Sequence, residues 1–211
     1  MKNMMLFIAI VAMIIVSCAK TDDDTTSSTG TSTTAADTAA SGSITVGSES
    51  LSGTYVTSCD TTWIALLIAL ETAPSDTQAM KSAFVVTGDT AFSQETYLYS
   101  DTSCSTKTMT TKQGKTNVVI GDASGSDYKV TYTSSTITLS PGNSTAETFF
   151  EALYEQQGVT VDLTAGMDTT YGAGDDTYKN LFNVTSTTFK IGTENTSDYP
   201  SSVNATEYTK Q

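Results

Sequence analysis

The feature that most constrains this chain is its punctuation after Leu51. Over about 160 residues, short runs rich in Thr, Val, Tyr and Phe alternate with clusters of Gly, Ser, Asn and Asp. β-Branched and aromatic side chains suit a pleated, half-buried surface, and the clusters supply turns. Residues 51–56 read as a first strand. Residues 83–86 and 91–99 flank Gly88-Asp89, a hairpin turn. Further strands are expected at 106–111, 117–120, 128–133, 136–139, 159–163, 180–185 and 188–192. Two segments break the pattern. Residues 63–70 read as a short helix, with Asp60, Thr61 and Thr62 available as caps and Pro74 as a stop, although Trp63 and the isoleucines also admit a strand. Ser144-Thr145-Ala146-Glu147 is a capping box opening a helix through Tyr154, with Gly158 as its stop. Eight to ten short strands with one or two short inserted helices imply a mainly β domain: an antiparallel barrel, or a β-sandwich. Residues 132–139 echo 184–191, which reads as a repeated hairpin.

Charge and missing residue types narrow the function. The net charge is −13, from 23 acids against 10 lysines, with no Arg and no His. Such a surface repels phosphate backbones, so no nucleic-acid partner is expected. It also offers no electrostatic grip on anionic lipid. Without histidine there is no Ser-His-Asp or Cys-His pair and no imidazole metal site. The chain reads as a non-enzyme, and no cofactor is expected.

The N-terminus has a different character. Met1-Lys2-Asn3 precedes an unbroken apolar run of 13 residues, Met4 to Val16. The run is short for a bilayer span but suits a signal peptide. It ends in Ile15-Val16-Ser17-Cys18, which resembles the lipobox of bacterial lipoproteins. That resemblance implies a signal peptide over 1–17, cleavage before Cys18, and a diacylglycerol thioether on Cys18 as the membrane contact. Two or three acyl chains anchor durably, at about 0.8 kcal/mol per buried CH₂. Ala19, rather than Asp, follows the Cys; by the enterobacterial sorting pattern this points to the outer membrane of a bacterial envelope. Residues 21–50 hold 16 Ser or Thr and five acids, too few apolar groups to offset ordering entropy. Residues 18–50 are therefore expected to be a disordered tether, and 51–211 the folded domain.

Cys59 and Cys104 remain for the exported domain. In an oxidising compartment they are expected to form one disulfide. Three groups are candidate sites. Asp168, Asp175 and Asp176 flank a Gly-rich stretch that reads as a solvated loop rather than a cation site, so no metal is expected. Glu147, Glu151 and Glu155 recur at helical spacing and read as a solvated face opposite Phe149, Phe150 and Leu153. Residues 63–70 read as buried against the barrel, with partner contact as the alternative.

Three segments together resemble bacterial lipoproteins with lipocalin-like domains. They are Leu51-Ser52-Gly53-Thr54-Tyr55 with Cys59; Tyr97 through Cys104; and Asn180-Leu181-Phe182-Asn183-Val184 through Ile191-Gly192 to Tyr208-Thr209-Lys210. The family opens with Gly-x-Trp, where this chain has Gly53-Thr54-Tyr55, and closes with a basic residue, usually Arg, which this chain lacks. The resemblance implies a lipocalin-like barrel acting as a binding module for a small apolar ligand. The other reading is an envelope protein working through protein contacts.

Overall fold

A computed structural model describes residues 31–35 and 37–211. The elements run β1 Thr31–Thr34, β2 Ile44–Val46, β3 Glu49–Leu51, β4 Thr54–Val56, α1 Ile64–Ala69, β5 Ala79–Gly88, β6 Ala91–Tyr99, β7 Lys107–Ser124, β8 Asp127–Pro141, α2 Ser144–Glu155, β9 Met167–Gly172, β10 Thr177–Val184, β11 Thr188–Ile191 and β12 Tyr208–Lys210. The expected mainly β fold with two short helices is present, and of barrel or sandwich it is the barrel. Eight strands close antiparallel in the order β8-β10-β11-β12-β4-β5-β6-β7, with β7 pairing back onto β8.

Closure depends on β8 serving two partners in succession. Its first half, from Tyr128 to Thr133, pairs with β10, and its second half, from Thr136 to Leu139, pairs with β9. β7 runs beside both halves. The sheet forks at Ser134-Ser135, and β9 with β1 forms a flap continuing the wall beyond the barrel. Sequence punctuation at Gln113-Gly114-Lys115 predicts two strands where the structure has one. The pairing absorbs register shifts at Gly114/Lys115 and twice more beyond it, so the chain bends without stopping. Gly114 is required there, because a Cβ would collide with the Thr136 hydroxyl. The echo at 132–139 is accordingly a continuous strand, whereas 184–191 is a hairpin.

Two large apolar cores result, beside a small cluster of Ala79, Tyr99 and Cys104 at the disulfide. The barrel core holds Tyr55, Phe84, Phe92, Tyr132, Phe182 and Phe189 and is plugged by Ile44, Val46 and Leu51. The second core lies where α1 and α2 cover the extended wall: Ile64, Leu67, Phe150 and Tyr154 against Met80, Leu98, Met109 and Ile137. α2 begins one residue earlier than its capping box suggests. Asn143 is the N-cap, its side chain accepting from the Ala146 N–H. Glu147, thereby freed, takes the Ala165 N–H, and Glu151 takes the Leu163 N–H. Residues 159–163 accordingly form no strand: the Val159 N–H bonds the Tyr154 carbonyl and the Leu163 N–H bonds Glu151, while Val161 and Leu163 are buried.

The expected tether boundary at residue 50 is displaced. β1 pairs with β9, and β2–β3 form a hairpin with Ile44 and Val46 at 2% and 1% exposure. Three apolar side chains and the left-handed Gly47 (φ 61°) achieve this. Gly47 lies against the Tyr128 hydroxyl, where any Cβ would clash. The signal segment, Cys18 and the tether to residue 30 lie outside the described residues.

Candidate functional site

Cys59 and Cys104 are joined by a disulfide, with Cα atoms 6.0 Å apart. It ties the chain leaving β4 to the β6–β7 loop. In that loop, Asp101 accepts from the N–H groups of Ser103, Ser105 and Thr106 and from the Ser103 hydroxyl. The Ser103 hydroxyl first, and these backbone donors with it, hold its carboxyl far below the usual range. This corner is structural.

The strand registers map the inward wall row by row. Met80, Leu98 and Met109 form one row, and Ser82, Thr96, Thr111 and Leu139 the next. Then come Tyr55, Phe84, Gln94, Gln113 and Ile137, and finally Val86, Phe92, Lys115 and Ser134. The outer rows are buried in the two cores. Between them runs a polar belt in which Ser82, Thr96, Gln94 and Gln113 keep partial access to solvent. Gln94 and Gln113 stand directly opposite one another. Among the described residues neither amide side chain has a hydrogen-bond partner.

The barrel interior itself is packed with rings. Phe84 lies 4.4 Å from Phe92 and 4.4 Å from Phe189, and Phe182 lies 5.0 Å from Phe189, centroid to centroid. Such spacings are those of contacting aromatic pairs.

At the edge of this cluster sits a buried ion pair. Lys115, with a side chain only 2% exposed, places Nζ 3.2 Å from Glu194 Oε2 and donates to Ser134 Oγ at 3.0 Å. The ammonium also lies 4.7 Å from the Tyr178 ring centre and 5.6 Å from that of Tyr132. The Tyr132 hydroxyl donates to Glu194 at 3.0 Å and accepts from Asn180 Nδ2 at 2.8 Å. Burial pushes the Lys115 ammonium below its usual range, against the pull of Glu194. Burial also raises the Tyr132 phenol well above its usual range, with Glu194 adding to the effect. The sequence reading passed over Lys115 because no strand was expected there, so its inward phase was invisible. Alternation extended through Phe92 and its neighbour strand would have exposed it.

The outer wall carries a second polar cluster. Glu95, 2% exposed, accepts from the Tyr97 hydroxyl at 2.6 Å, while its other oxygen lacks a partner. Lys112 pairs with Asp168 at 2.8 Å, and Asp168 also accepts from Ser140. Lys107 pairs with Asp37 at 2.7 Å, which lowers the Asp37 carboxyl. A cleft of about 250 Å³ lies between these pairs. Asp168 is thus separated from Asp175 and Asp176, which are exposed in the β9–β10 loop. Among the described residues no cluster of carboxylates and thiols could hold a metal ion. Of the three α2 glutamates, only Glu155 is fully solvated.

Residues 63–70 form α1 as expected, with Ile64 and Leu67 buried. Trp63 itself is the N-cap, without a side-chain cap bond, while Asp60 spends its carboxylate on the Thr62 N–H. Leu70 is 45% exposed. A groove of about 600 Å³ runs between the helices, lined by Ile68, Pro74 and Phe149 among others. No protein-family model matches this chain, and no curated protein is significantly similar to it.

Proposed function

We propose that this chain is an exported bacterial lipoprotein, held to an envelope membrane, the outer one, by lipid on Cys18. In this reading the barrel domain is a non-enzymatic binding module. The observation that carries the binding reading is the polar belt: facing Gln94 and Gln113 amides, without a hydrogen-bond partner among the described residues, that keep partial access to solvent between two packed cores. Partly solvent-exposed amides bond water in the free protein, and the polar groups of a ligand can take the place of that water. The wholly apolar ligand expected from the lipocalin resemblance is not favoured, because the contacting rings of Phe84, Phe92, Phe182 and Phe189 occupy the barrel interior. The ligand belongs at the belt.

Two measurements test this. Cys18→Ser is expected to move the protein from the membrane to the soluble fraction of its host; retention in the membrane refutes the anchor. Native mass spectrometry of protein purified from that host is expected to show a small adduct that Gln94→Ala with Gln113→Ala removes. Bare protein in every preparation refutes the binding module.

A second reading, an envelope protein acting through protein contacts, is favoured by one observation: the apolar groove between α1 and α2 beside exposed Leu70. A photo-crosslinking residue at Ile68 in intact cells distinguishes it. A discrete protein adduct supports this reading, and none counts against it.

A further inference from the structure

We infer that the belt binds a neutral carbohydrate, gripping neighbouring hydroxyls with the paired amides of Gln94 and Gln113. This rests on the binding reading above and specifies its ligand class. Each primary amide presents an acceptor oxygen and a donor nitrogen side by side. Each sugar hydroxyl both donates and accepts, so adjacent hydroxyls match one amide in a bidentate manner. Residues directly opposite on antiparallel strands have Cβ atoms about 5 Å apart, so two such amides make one contiguous hydrogen-bonding plate. The next row adds the Thr96 hydroxyl on the same face, while the Ser82 hydroxyl beside it already bonds the Tyr208 phenol.

Charge argues for a neutral ligand. Among the described residues, Lys115 beside the amides already pairs with Glu194, and Lys210, farther along the same row, lies over the Tyr55 ring. Lys112 points to the other wall and pairs with Asp168. A charged ligand would be desolvated here without a counter-ion, at a cost of several kcal/mol. Position argues against a peptide. Extended peptides add to sheet edges through backbone groups. Here β6 and β7 are interior strands whose backbone donors and acceptors are already paired on both sides. Only side chains are available, and the amide pair spans one strand spacing, about 5 Å, the span of a single sugar ring.

The test uses the full mature chain and a panel of neutral sugars: glucose, N-acetylglucosamine, maltose and cellobiose. Nitrogen-labelled protein is titrated while the side-chain amide resonances of Gln94 and Gln113 are followed. At least one sugar is expected to shift both, and Gln113→Ala is expected to weaken it roughly tenfold with an unchanged melting temperature. Gln94→Glu, which keeps the shape but adds charge, checks that the loss is one of hydrogen bonding rather than folding. If no sugar shifts either amide while host-purified protein carries a non-carbohydrate adduct, the carbohydrate inference falls and the binding module stands. If no sugar binds and no adduct exists, both fall. A sugar that binds without moving these resonances also overturns the inference.

Discussion

Lys115 is the side chain whose removal should report most about how this barrel is built. At 3.2 Å from Glu194, an effective dielectric of about 20 gives an attraction of roughly 5 kcal/mol. Stripping each ion of water costs several kcal/mol, so the intact pair contributes little net stability. Breaking it is different. Lys115→Met leaves the Glu194 carboxylate, 12% exposed, with only the Tyr132 hydroxyl as donor. The expected loss is about 3–5 kcal/mol. Lys115→Met with Glu194→Gln removes both charges, and Tyr132 still donates to the amide oxygen, so most of the loss should be recovered. Urea unfolding followed by circular dichroism at neutral pH reads all four corners of the cycle. A pH series adds a sign. Because burial lowers the folded Lys115 pKa, the folded state binds fewer protons than the unfolded one between that value and the ordinary 10.5. Through this term wild-type stability rises with pH in that window, and Lys115→Met should abolish that rise. Single variants that each lose less than about 1 kcal/mol and simply add would refute the reasoning: the pair would then be solvated, not buried.

Three further outcomes follow from the same structure. Phe182→Ala, at a side chain with 0% exposure among Phe84, Phe92 and Phe189, should cost about 3–5 kcal/mol in urea unfolding. A loss under 1 kcal/mol would mean that the interior is loosely filled. Replacing Cys59 and Cys104 with Ser opens a loop with a sequence separation of 45 and should lower stability by about 4 kcal/mol in the chain-entropy model; an unchanged melting temperature would contradict it. Above pH 10 the buried phenol of Tyr132 and the half-buried phenol of Tyr208 reverse the trend set by Lys115. Burial pushes Tyr208 up to about 12, and Tyr132 is raised as well. Their contribution is complete below pH 10 and lost as pH climbs through the raised values, at about 1.4 kcal/mol per pH unit for each phenol. Tyrosinate absorbance should therefore appear together with unfolding; full ionisation of every tyrosine in folded protein would sink this.

Local preferences in the sequence determined much of the fold. Alternation and turn residues were enough for the β class and the Gly88-Asp89 hairpin, and helix signals for the two helices. Two cysteines in the folded region, expected to pair, were enough for the Cys59–Cys104 bridge. These depend on neighbours a few residues away, or on a pairing with one possible solution. What failed depended on distant partners. β9 was missed because Asp168 and Gly172 resemble loop residues until Ser140, Lys112 and strand β8 give them neighbours. Residues 44–50 read as tether, because a hairpin that short gains stability only by plugging a barrel. The belt and the Lys115–Glu194 pair have no local signature at all. Gln94 and Gln113 face each other, and Lys115 meets a carboxylate 79 residues away, only because β6, β7 and β8 adopt one register with its bulges. Register is set by the summed fit of both cores, a quantity that no single segment of sequence contains.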